Sequence, residues 1–290
     1  MHTDMNLRYD RKNHPIAPQG RAIQVALKKA HRLLEKTIGN SSTEGGDSLT
    51  DSTVIAELIE PTTPLSPAVQ RKAKVFESRA KKVLQRRFLQ DYDYSFDFGQ
   101  VVFTPITKDT QFLTLPFDSE WLNGPGKANR YTGELAVGMI GVGDVVFGSG
   151  LGLFVSSPNN VIAYVRALMP IDYEWKHILF ASGFAGSSGT VGILVYETSS
   201  GKIVVDKRAT LWNESMWAAA ATTRQGSNRI YLTQTKVAEV SFYMSAGKSY
   251  QVWFWLNVGL RTVGLSLSSA VIHAKIPLVI MNTGTPPIVK

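Results

Sequence analysis

From Asp91 to the C-terminus, the sequence is a series of short apolar runs in which side-chain polarity alternates every second residue. The first run is DYDYSFDF, where aromatic residues occupy one parity and aspartates or serine the other. A period of two predicts a strand with one buried face. Because no helix-length pattern interrupts these runs, the sequence predicts a mainly β domain, an antiparallel β-sandwich of jelly-roll-like type.

The remaining runs predict nine or ten short strands in total. They are QVVFTPI, QFLTLPF, ELAVGMIGV, VIAYVRALM, TVGILVYE, KIVVDKRATLW, RIYLTQTKVAEVSFYM, YQVWFWLNV and AVIHAKIPLVIM. The sequence GILVYE-TSSG-KIVV predicts a hairpin. YQVWFWLNV is apolar on both faces, so we expect a central strand covered by the opposite sheet and by an N-terminal helix.

The N-terminal third has a different pattern. Residues 1–65 predict an extended arm, a basic helix from Arg21 to about Ile38 and a polar linker. Residues 66–90 predict a second basic amphipathic helix, started by Ser66 and Pro67. Its apolar stripe consists of Val69, Ala73, Phe76, Ala80 and Val83. Residues 91–290 form the predicted sandwich domain.

Positive charge is concentrated before the sandwich. Residues 1–95 contain 16 Lys and Arg against 11 Asp and Glu, whereas residues 96–290 contain 15 against 12. One helix cannot bury many cations against a core, because an unpaired buried ammonium costs several kcal/mol. The second helix is therefore expected to engage nucleic acid or another anionic surface. Its candidate contact residues are Arg71, Lys72, Lys74, Arg79, Lys81, Lys82, Arg86 and Arg87.

Several enzyme classes lack their required residues. The chain has no cysteine, which excludes disulfides, thiolate catalysis and cysteine-ligated zinc. Its five histidines form neither HxH nor HExxH, so no metal site is expected. His177, with Asp172 and Glu174 nearby, could form an acid–base cluster, but a solvated loop before a strand is the favoured interpretation. We expect neither a catalytic site nor a cofactor.

Glycine and lysine motifs are better explained as turns. Residues 246–249, AGKS, imitate the end of a phosphate-binding loop, but they lie between two predicted strands and indicate a hairpin turn. GMIGVG at residues 138–143 has the wrong glycine spacing for a dinucleotide fingerprint. The pairs Ser245/Lys248 and Ser199/Lys202 have serine–lysine spacing, but both lie in predicted turns.

The aspartates of the first strand have three interpretations. Asp91, Asp93 and Asp97 would share a strand face, where side chains are about 6.6 Å apart at a rise of roughly 3.3 Å per residue. That separation is wide for two ligands of one calcium ion. Docking against a basic helix is the second interpretation, and a solvated face is the favoured one.

Trp253 and Trp255 lie on one face of the strand YQVWFWLNV. Exposed aromatic rows stack on sugars or bases, so these residues are a candidate ligand platform. Buried aromatic residues are commoner in a central strand, and a core position is the favoured interpretation.

The stretch from Leu135 to Val155 is the longest apolar and glycine-rich run. It fits a membrane-inserting hairpin, but two core strands joined by a hairpin at Gly143-Asp144 are favoured. No secretory signal and no run of about 18 apolar residues is found, so we expect neither export nor a transmembrane helix. The expected location is the cytoplasm or a particle assembled there.

The leading functional hypothesis is a non-enzymatic structural protein. A basic N-terminal arm before an antiparallel sandwich is the layout that small coat proteins use to hold an anionic polymer, although a fold never determines function. We therefore expect a self-associating, coat-like homo-oligomer whose basic helices engage nucleic acid. The alternatives are a carbohydrate-binding or adhesive sandwich and a membrane-active protein.

Overall fold

The computed structural model describes residues 110–141, 143–231 and 239–284, together with Arg71 and Val75. The three ranges form strands in almost their whole length, and every strand pairing is antiparallel. The strands are β1 Thr110–Thr114, β2 Ser119–Asn123, β3 Gly126–Asn129, β4 Glu134–Gly141, β5 Asp144–Ser156, β6 Val161–Leu168, β7 Pro170–Glu197, β8 Ile203–Ala218, β9 Thr222–Tyr231, β10 Glu239–Met244, β11 Ser249–Lys275 and β12 Leu278–Gly284.

The strands form two sheets. The smaller sheet has four strands in the order β1-β12-β6-β10. The larger sheet has eight, with β11 between β7 and the pair β5 and β4, and with β8 and β9 beyond β7. One continuous core contains side chains of both sheets, such as Val165 and Val279 from the smaller and Leu151 and Ile193 from the larger. The prediction of a mainly β, antiparallel domain is confirmed.

Two strands are far longer than predicted. β7 has 28 residues and β11 has 27, whereas strands commonly have about five or six. They pair with each other along most of their length, with a register shift between Gly264 and Ser266 where Gly264 adopts a φ of 75°. A glycine suits this position because a positive φ strains other residues.

The glycine-rich run 135–155 is not a hairpin. β4 and β5 both pair with β11, β4 opposite residues 268–275 and β5 opposite residues 249–261, so they follow one another along the same edge of β11. Gly143 lies between them with a φ of 102°. Both strands are internal to the sheet, so the interpretation as core strands is confirmed. The prediction of a hairpin turn at Gly143-Asp144 is wrong. Among the described residues, no helix is long and apolar enough to cross a membrane.

Other predicted connections have mixed outcomes. The hairpin between β7 and β8 is confirmed, with Tyr196 opposite Ile203. Residues 246–249 do form a turn around Gly247, but they connect β10 of one sheet to β11 of the other, so the predicted hairpin is wrong. AVIHAKIPLVIM is two strands in different sheets, because Pro277 follows the end of β11 and cannot donate to a ladder.

YQVWFWLNV is confirmed as a central strand segment, since it lies in β11 between β5 and β7. The structure also assigns helical conformation to Arg71 and Val75, and both side chains are exposed. The rest of the two predicted basic helices, the run DYDYSFDF with its aspartates, and QVVFTPI lie outside the described residues.

Candidate interaction surfaces

The outward face of the four-stranded sheet carries exposed aromatic side chains. The inward parity of β6 and β10 packs into the core through residues such as Val165 and Phe242, so the alternating residues point outward. Phe112 is 46%, Tyr164 40% and Tyr243 47% exposed. We call this surface the open aromatic face, defined by Phe112, Ile162, Tyr164, Tyr243 and Ile280.

Strand register places these side chains on a diagonal. Phe112 lies opposite Ile280, Tyr164 opposite Asn282, and Tyr243 opposite Ile162. Diagonal neighbours on adjacent strands are about 7–8 Å apart, within the reach of aromatic rings. The stripe therefore runs from β1 across β12 and β6 to β10.

Polar groups border this stripe. Arg166 Nη2 lies 2.6 Å from Glu239 Oε2 across the β6–β10 pair, and Ser241 lies directly opposite Tyr164. The ring of Tyr164 leans over Gly284, where an added Cβ would lie 3.7 Å from Cε2. An apolar stripe with a polar border has the composition of a protein–protein contact surface.

The outward face of the eight-stranded sheet differs around the first half of β11, because the aromatic residues there are buried. We call it the tryptophan face, defined by Leu194, Tyr196, Trp253 and Trp255. Trp253 is 1% and Trp255 0% exposed. The prediction of a solvent-facing ligand platform at Trp253 and Trp255 is therefore wrong, because neither indole presents a surface to a sugar or base, and the favoured core interpretation is confirmed.

Glycines opposite the tryptophans explain how such large rings fit a sheet. Trp253 lies opposite Gly152, and Trp255 lies opposite Gly150 on one side and Gly192 on the other. A Cβ at Gly152 would lie 2.9 Å from Trp253, and a Cβ at Gly192 would overlap the indole of Trp255. Each ring therefore occupies the space that a neighbouring strand leaves free by having no side chain.

The tryptophan face also contains buried polar atoms. Tyr196 donates its hydroxyl hydrogen to Gln251 Oε1, and Gln251 Nε2 donates to Ser119 Oγ at 3.0 Å. Burial raises the pKa of Tyr196 to about 12. In the described part of the chain, Asn257 Nδ2 and Oδ1 and Trp255 Nε1 are buried without a hydrogen-bond partner.

His177 lies inside the sandwich and not in a solvated loop. It belongs to β7, is 0% exposed, and its Nε2 is 2.8 Å from Ser187 Oγ, which also accepts from Trp212 Nε1 at 2.9 Å. Burial, with a smaller contribution from the Arg224 cation, lowers the pKa of His177 to about 4. The loop prediction overlooked a period of two in the sequence, in which Ile171, Tyr173 and Trp175 alternate with Asp172, Glu174 and Lys176 up to His177.

The acid–base cluster proposed for His177 is also wrong. Asp172 and Glu174 have the opposite parity in β7 and lie on the other face, where Asp172 pairs with Arg229 at 2.6 Å. A serine at hydrogen-bond distance from a histidine is one element of a hydrolytic triad. Here both groups are buried and, among the described residues, His177 Nδ1 has no partner to orient it. The pair stabilises the core.

Ser199 and Ser245 lie at turns, as predicted, and the structure shows no serine–lysine pair at either among the described residues. Lys248 Nζ lies 3.0 Å from both carboxylate oxygens of Glu197, and Ser199 Oγ donates to the same carboxylate at 2.8 Å. The hydrogen bond from Ser199, followed by that from Lys248, lowers the pKa of Glu197. These contacts connect the β7–β8 hairpin to the turn before β11. In the described ranges, no group of three His, Asp or Glu could hold a metal ion.

Many sandwich cations have partners within the sandwich. The ion pairs join Lys127 to Glu134, Arg166 to Glu239, Arg208 to Asp206, Arg224 to Glu214, Arg229 to Asp172 and Lys248 to Glu197. Of the predicted anion-binding residues, Arg71 is described and its side chain is exposed. The other seven lie outside the described residues.

No protein-family model matches this chain, and no curated protein matches it. Among solved structures it is similar to a chain described as "CBM4 structure and function", with 16% identity, a TM-score of 0.20, and coverage of 56% of this chain and 91% of that one. It is also similar to a chain of infectious bursal disease virus Gx strain, with 9% identity and a TM-score of 0.15. A chain of the T13 particle of the same virus matches with 11% identity and a TM-score of 0.15.

Coverage of the viral structures is partial. The matches take in 54% and 52% of this chain and 42% and 38% of the viral chains, so this protein spans about two fifths of their length. At these TM-scores, the similarities do not support any statement about function.

Proposed function

We propose that this protein is a non-enzymatic assembly protein. Its sandwich associates with further copies through the open aromatic face, and its basic N-terminal segment binds an anionic partner such as nucleic acid. The observation that carries the proposal is the diagonal of exposed Phe112, Tyr164 and Tyr243 on the outside of the four-stranded sheet.

Strand order supports this proposal. β1, β12, β6 and β10 lie in one sheet, β5, β11, β7 and β8 are successive neighbours in the other, and the chain changes sheet at six of the eleven connections between described strands. Two four-stranded layers in this order are typical of an eight-stranded jelly roll, an architecture found in capsid and lectin domains. Because capsid and lectin domains share this architecture, the fold cannot distinguish assembly from carbohydrate binding, and the surface residues have to.

The size of the open aromatic face indicates a weak interface. Three aromatic side chains exposed by 40–47% present on the order of 250 Å², since each has about 200 Å² in total. A standard interface buries about 800 Å² per partner, so polar neighbours such as Arg166 and Glu239 must contribute. We therefore expect concentration-dependent association and not an obligate dimer.

Charge distribution supports the second half of the proposal. The segment from residue 70 to 88 contains eight Lys and Arg against one Glu, while six cations of the sandwich are paired with its own carboxylates. Residues 96–290 have a net charge of only +3, from 15 Lys and Arg against 12 Asp and Glu, so the cationic segment is the part of the chain best suited to phosphates.

Self-association is tested with paired tyrosine variants. Tyr164→Ser combined with Tyr243→Ser should weaken association at least about tenfold, measured by sedimentation velocity over a wide range of protein concentration. Tyr131→Ser is the matched control, because Tyr131 is 63% exposed in the turn before β4, away from this face. Equal association of all three proteins would overturn the proposed interface.

Nucleic-acid binding is tested by salt titration. Single-stranded binding through eight cations should fall with a log–log salt slope of about −5 to −6, at roughly 0.7 per phosphate contact. Replacing Lys81, Lys82, Arg86 and Arg87 by glutamine should reduce that slope by about 3. A slope that these substitutions leave unchanged would remove the basic segment from the proposal without affecting the aromatic interface.

Carbohydrate binding is a second candidate, favoured by the exposure of Tyr164 and Tyr243 on the outside of the sheet. Exposed rings on a sheet can stack against sugar rings. A glycan panel followed by calorimetry should then detect binding that Tyr164→Ser abolishes and Tyr131→Ser preserves. Self-association without any glycan response would favour assembly, and glycan binding by a monomer would favour this alternative.

A further inference from the structure

The tryptophan face is buried, but the described residues provide no second hydrophobic layer over it. The partly buried hydrophobic side chains that pack against Leu194, Tyr196, Trp253 and Trp255 are Trp121 and Ile203, which belong to β2 and β8 of the same sheet. The Asp206–Arg208 ion pair of β8 lies beside them, opposite Leu194 and Gly192. Neighbours within a sheet shield the sides of an indole but leave its outer surface open. Exposures of 1% and 0% at two tryptophans therefore require a covering element.

The buried residues that β11 contributes to this side of the sheet, from Gln251 to Asn257, are also partly polar. Asn257, one alternating position beyond Trp255, is 0% exposed, and neither its amide nitrogen nor its oxygen has a hydrogen-bond partner among the described residues. A buried unpaired amide costs about 1–3 kcal/mol, so the favourable burial on this face comes from its apolar residues, which an apolar cover suits.

The basic segment at residues 66–90 has a face suited to this role. At about 100° per residue, the stripe of Val69, Ala73, Phe76, Ala80 and Val83 falls on one side of a helix. Arg71 and Val75 fall on the opposite side, and the structure shows both as helical and exposed, with Val75 51% exposed.

The cations follow the exposed side. On the same helical projection, Arg71, Lys74, Lys81 and Lys82 point away from the stripe, Lys72, Arg79 and Arg86 border one edge of it, and Arg87 falls on it. A helix docked through its stripe would therefore keep the four outward charges in water, and the three bordering side chains can extend to reach water.

The lengths of the two surfaces also agree. The stripe from Val69 to Val83 spans about 21 Å at 1.5 Å per residue. The buried row from Gln251 to Asn257 spans about 20 Å at 3.4 Å per residue. The 20 residues between 90 and 109 can extend over about 65 Å, so chain connectivity allows the helix to reach this face.

We infer that the helix predicted at residues 66–90 docks through its apolar stripe on the tryptophan face of its own subunit and presents its cations outward. This interaction lies on the opposite side of the sandwich from the open aromatic face. It goes beyond the proposed function, and loss of self-association or of nucleic-acid binding would leave it unaffected.

Crosslinking tests the docking directly, because the chain contains no cysteine. Thr190 lies opposite Asn257 on β7 and is 6% exposed, so Thr190→Cys introduces a thiol on this face. Combined with Ala73→Cys or Ala80→Cys on the stripe, it should give an intrachain link with a short bismaleimide, identified by peptide mass spectrometry. The matched control, Val75→Cys with Thr190→Cys, should give little of this intrachain link.

Fluorescence gives a second readout in the full chain. Phe76→Asp should raise acrylamide quenching of tryptophan at least about twofold, whereas Val75→Asp should not; both are made with Trp217→Phe, because Trp217 is 59% exposed. Equal linking from Ala80 and Val75, or quenching unchanged by Phe76→Asp, would overturn the inference. A link that joins two chains would overturn it in favour of helix exchange between subunits, and a link to residues 91–98 would identify a different cover.

Discussion

The open aromatic face and the tryptophan face both carry aromatic residues, yet the first exposes them and the second buries them. On the tryptophan face, Trp253 and Trp255 lie opposite Gly152, Gly150 and Gly192, so each ring can lie down over a neighbouring strand. On the open aromatic face, Tyr164 lies between Asn282 and Ser241 and remains 40% exposed.

The difference shows that a glycine on the neighbouring strand lets an aromatic ring lie flat on a sheet, where a further layer can cover it. Trp175 lies opposite Gly226 and Trp212 opposite Gly189, and in both pairs an added Cβ would overlap or crowd the indole. Rings with a glycine partner form layers of the folded body. Rings with a polar partner remain available for contacts with other molecules.

The largest expected effect is the loss of a tryptophan from the buried face. Trp255→Ala should lower the free energy of unfolding by about 3–5 kcal/mol, because it removes a fully buried indole and leaves a cavity. Tyr243→Ala on the open face should cost less than about 1 kcal/mol. Urea denaturation of both variants measures the contrast, and similar losses would mean that the two faces do not differ in burial.

The next largest effect is a loss of stability in acid, which we expect from the buried hydrogen bonds around His177. Its pKa is about 4 in the folded state against an ordinary value of 6.5, so the unfolded chain binds a proton first as pH falls. Stability should therefore decline between pH 6.5 and 4 by about 3 kcal/mol, at 1.36 kcal/mol per pKa unit. Above pH 6.5 this contribution is fully present.

His177→Asn is the control for this titration. It removes the ionisable group, so the difference in unfolding free energy between wild type and variant should shrink as pH falls through this window. A difference independent of pH would show that His177 is solvated or already charged in the folded protein, and that this part of the eight-stranded sheet is as accessible as the open face.

Much of the fold could be predicted from the sequence, and the failures have a common physical cause. Alternation in VIAYVRALM and in TVGILVYE identified β6 and the second half of β7, because one face of each strand meets the core. The segment around Gly183 and Gly186 was missed, because glycine and serine normally indicate loops. In this protein, glycines in strands provide space for rings on adjacent strands, and that pairing cannot be read from local sequence.

The interaction surfaces could not be predicted for the same reason, because they depend on which strands pair. The sequence identified Trp253 and Trp255 as aromatic neighbours, but their burial depends on Gly150, Gly152 and Gly192, which lie about 60 to 100 residues earlier in the chain. Tyr164 and Tyr243 gave no signal, since each is one outward residue in an ordinary alternating run. Only the pairing of β6 with β10 brings them together.

A smaller effect is expected from adding one methyl group under an aromatic ring on each face. Gly192→Ala should destabilise the protein by about 1–3 kcal/mol, because the new Cβ overlaps the indole of Trp255 and forces it to move. Gly284→Ala is the matched control, since its Cβ would meet Tyr164 at an ordinary 3.7 Å. Its cost should stay within about 0.5 kcal/mol.

A double-mutant cycle sharpens this result. If the clash with the ring is the cause, Gly192→Ala should cost much less in a Trp255→Ala background, and the coupling should be of order 1 kcal/mol. Additive losses would instead assign the cost to the backbone of β7, and the packing of tryptophan on glycine would not explain why this face is closed.

The smallest effect on subunit stability, and the one that connects the comparison to function, is expected from Phe112→Thr. Phe112 is 46% exposed, and threonine suits a strand, so the free energy of unfolding in dilute solution should change by less than about 1 kcal/mol. If the open aromatic face binds a second copy, the wild-type Tm should rise with protein concentration, because association stabilises only the folded form. Phe112→Thr should flatten that rise while leaving the dilute-solution Tm nearly unchanged. A concentration dependence equal in both proteins would place the interface elsewhere, and a large loss in dilute solution would show that Phe112 belongs to the folded body, as Trp255 does.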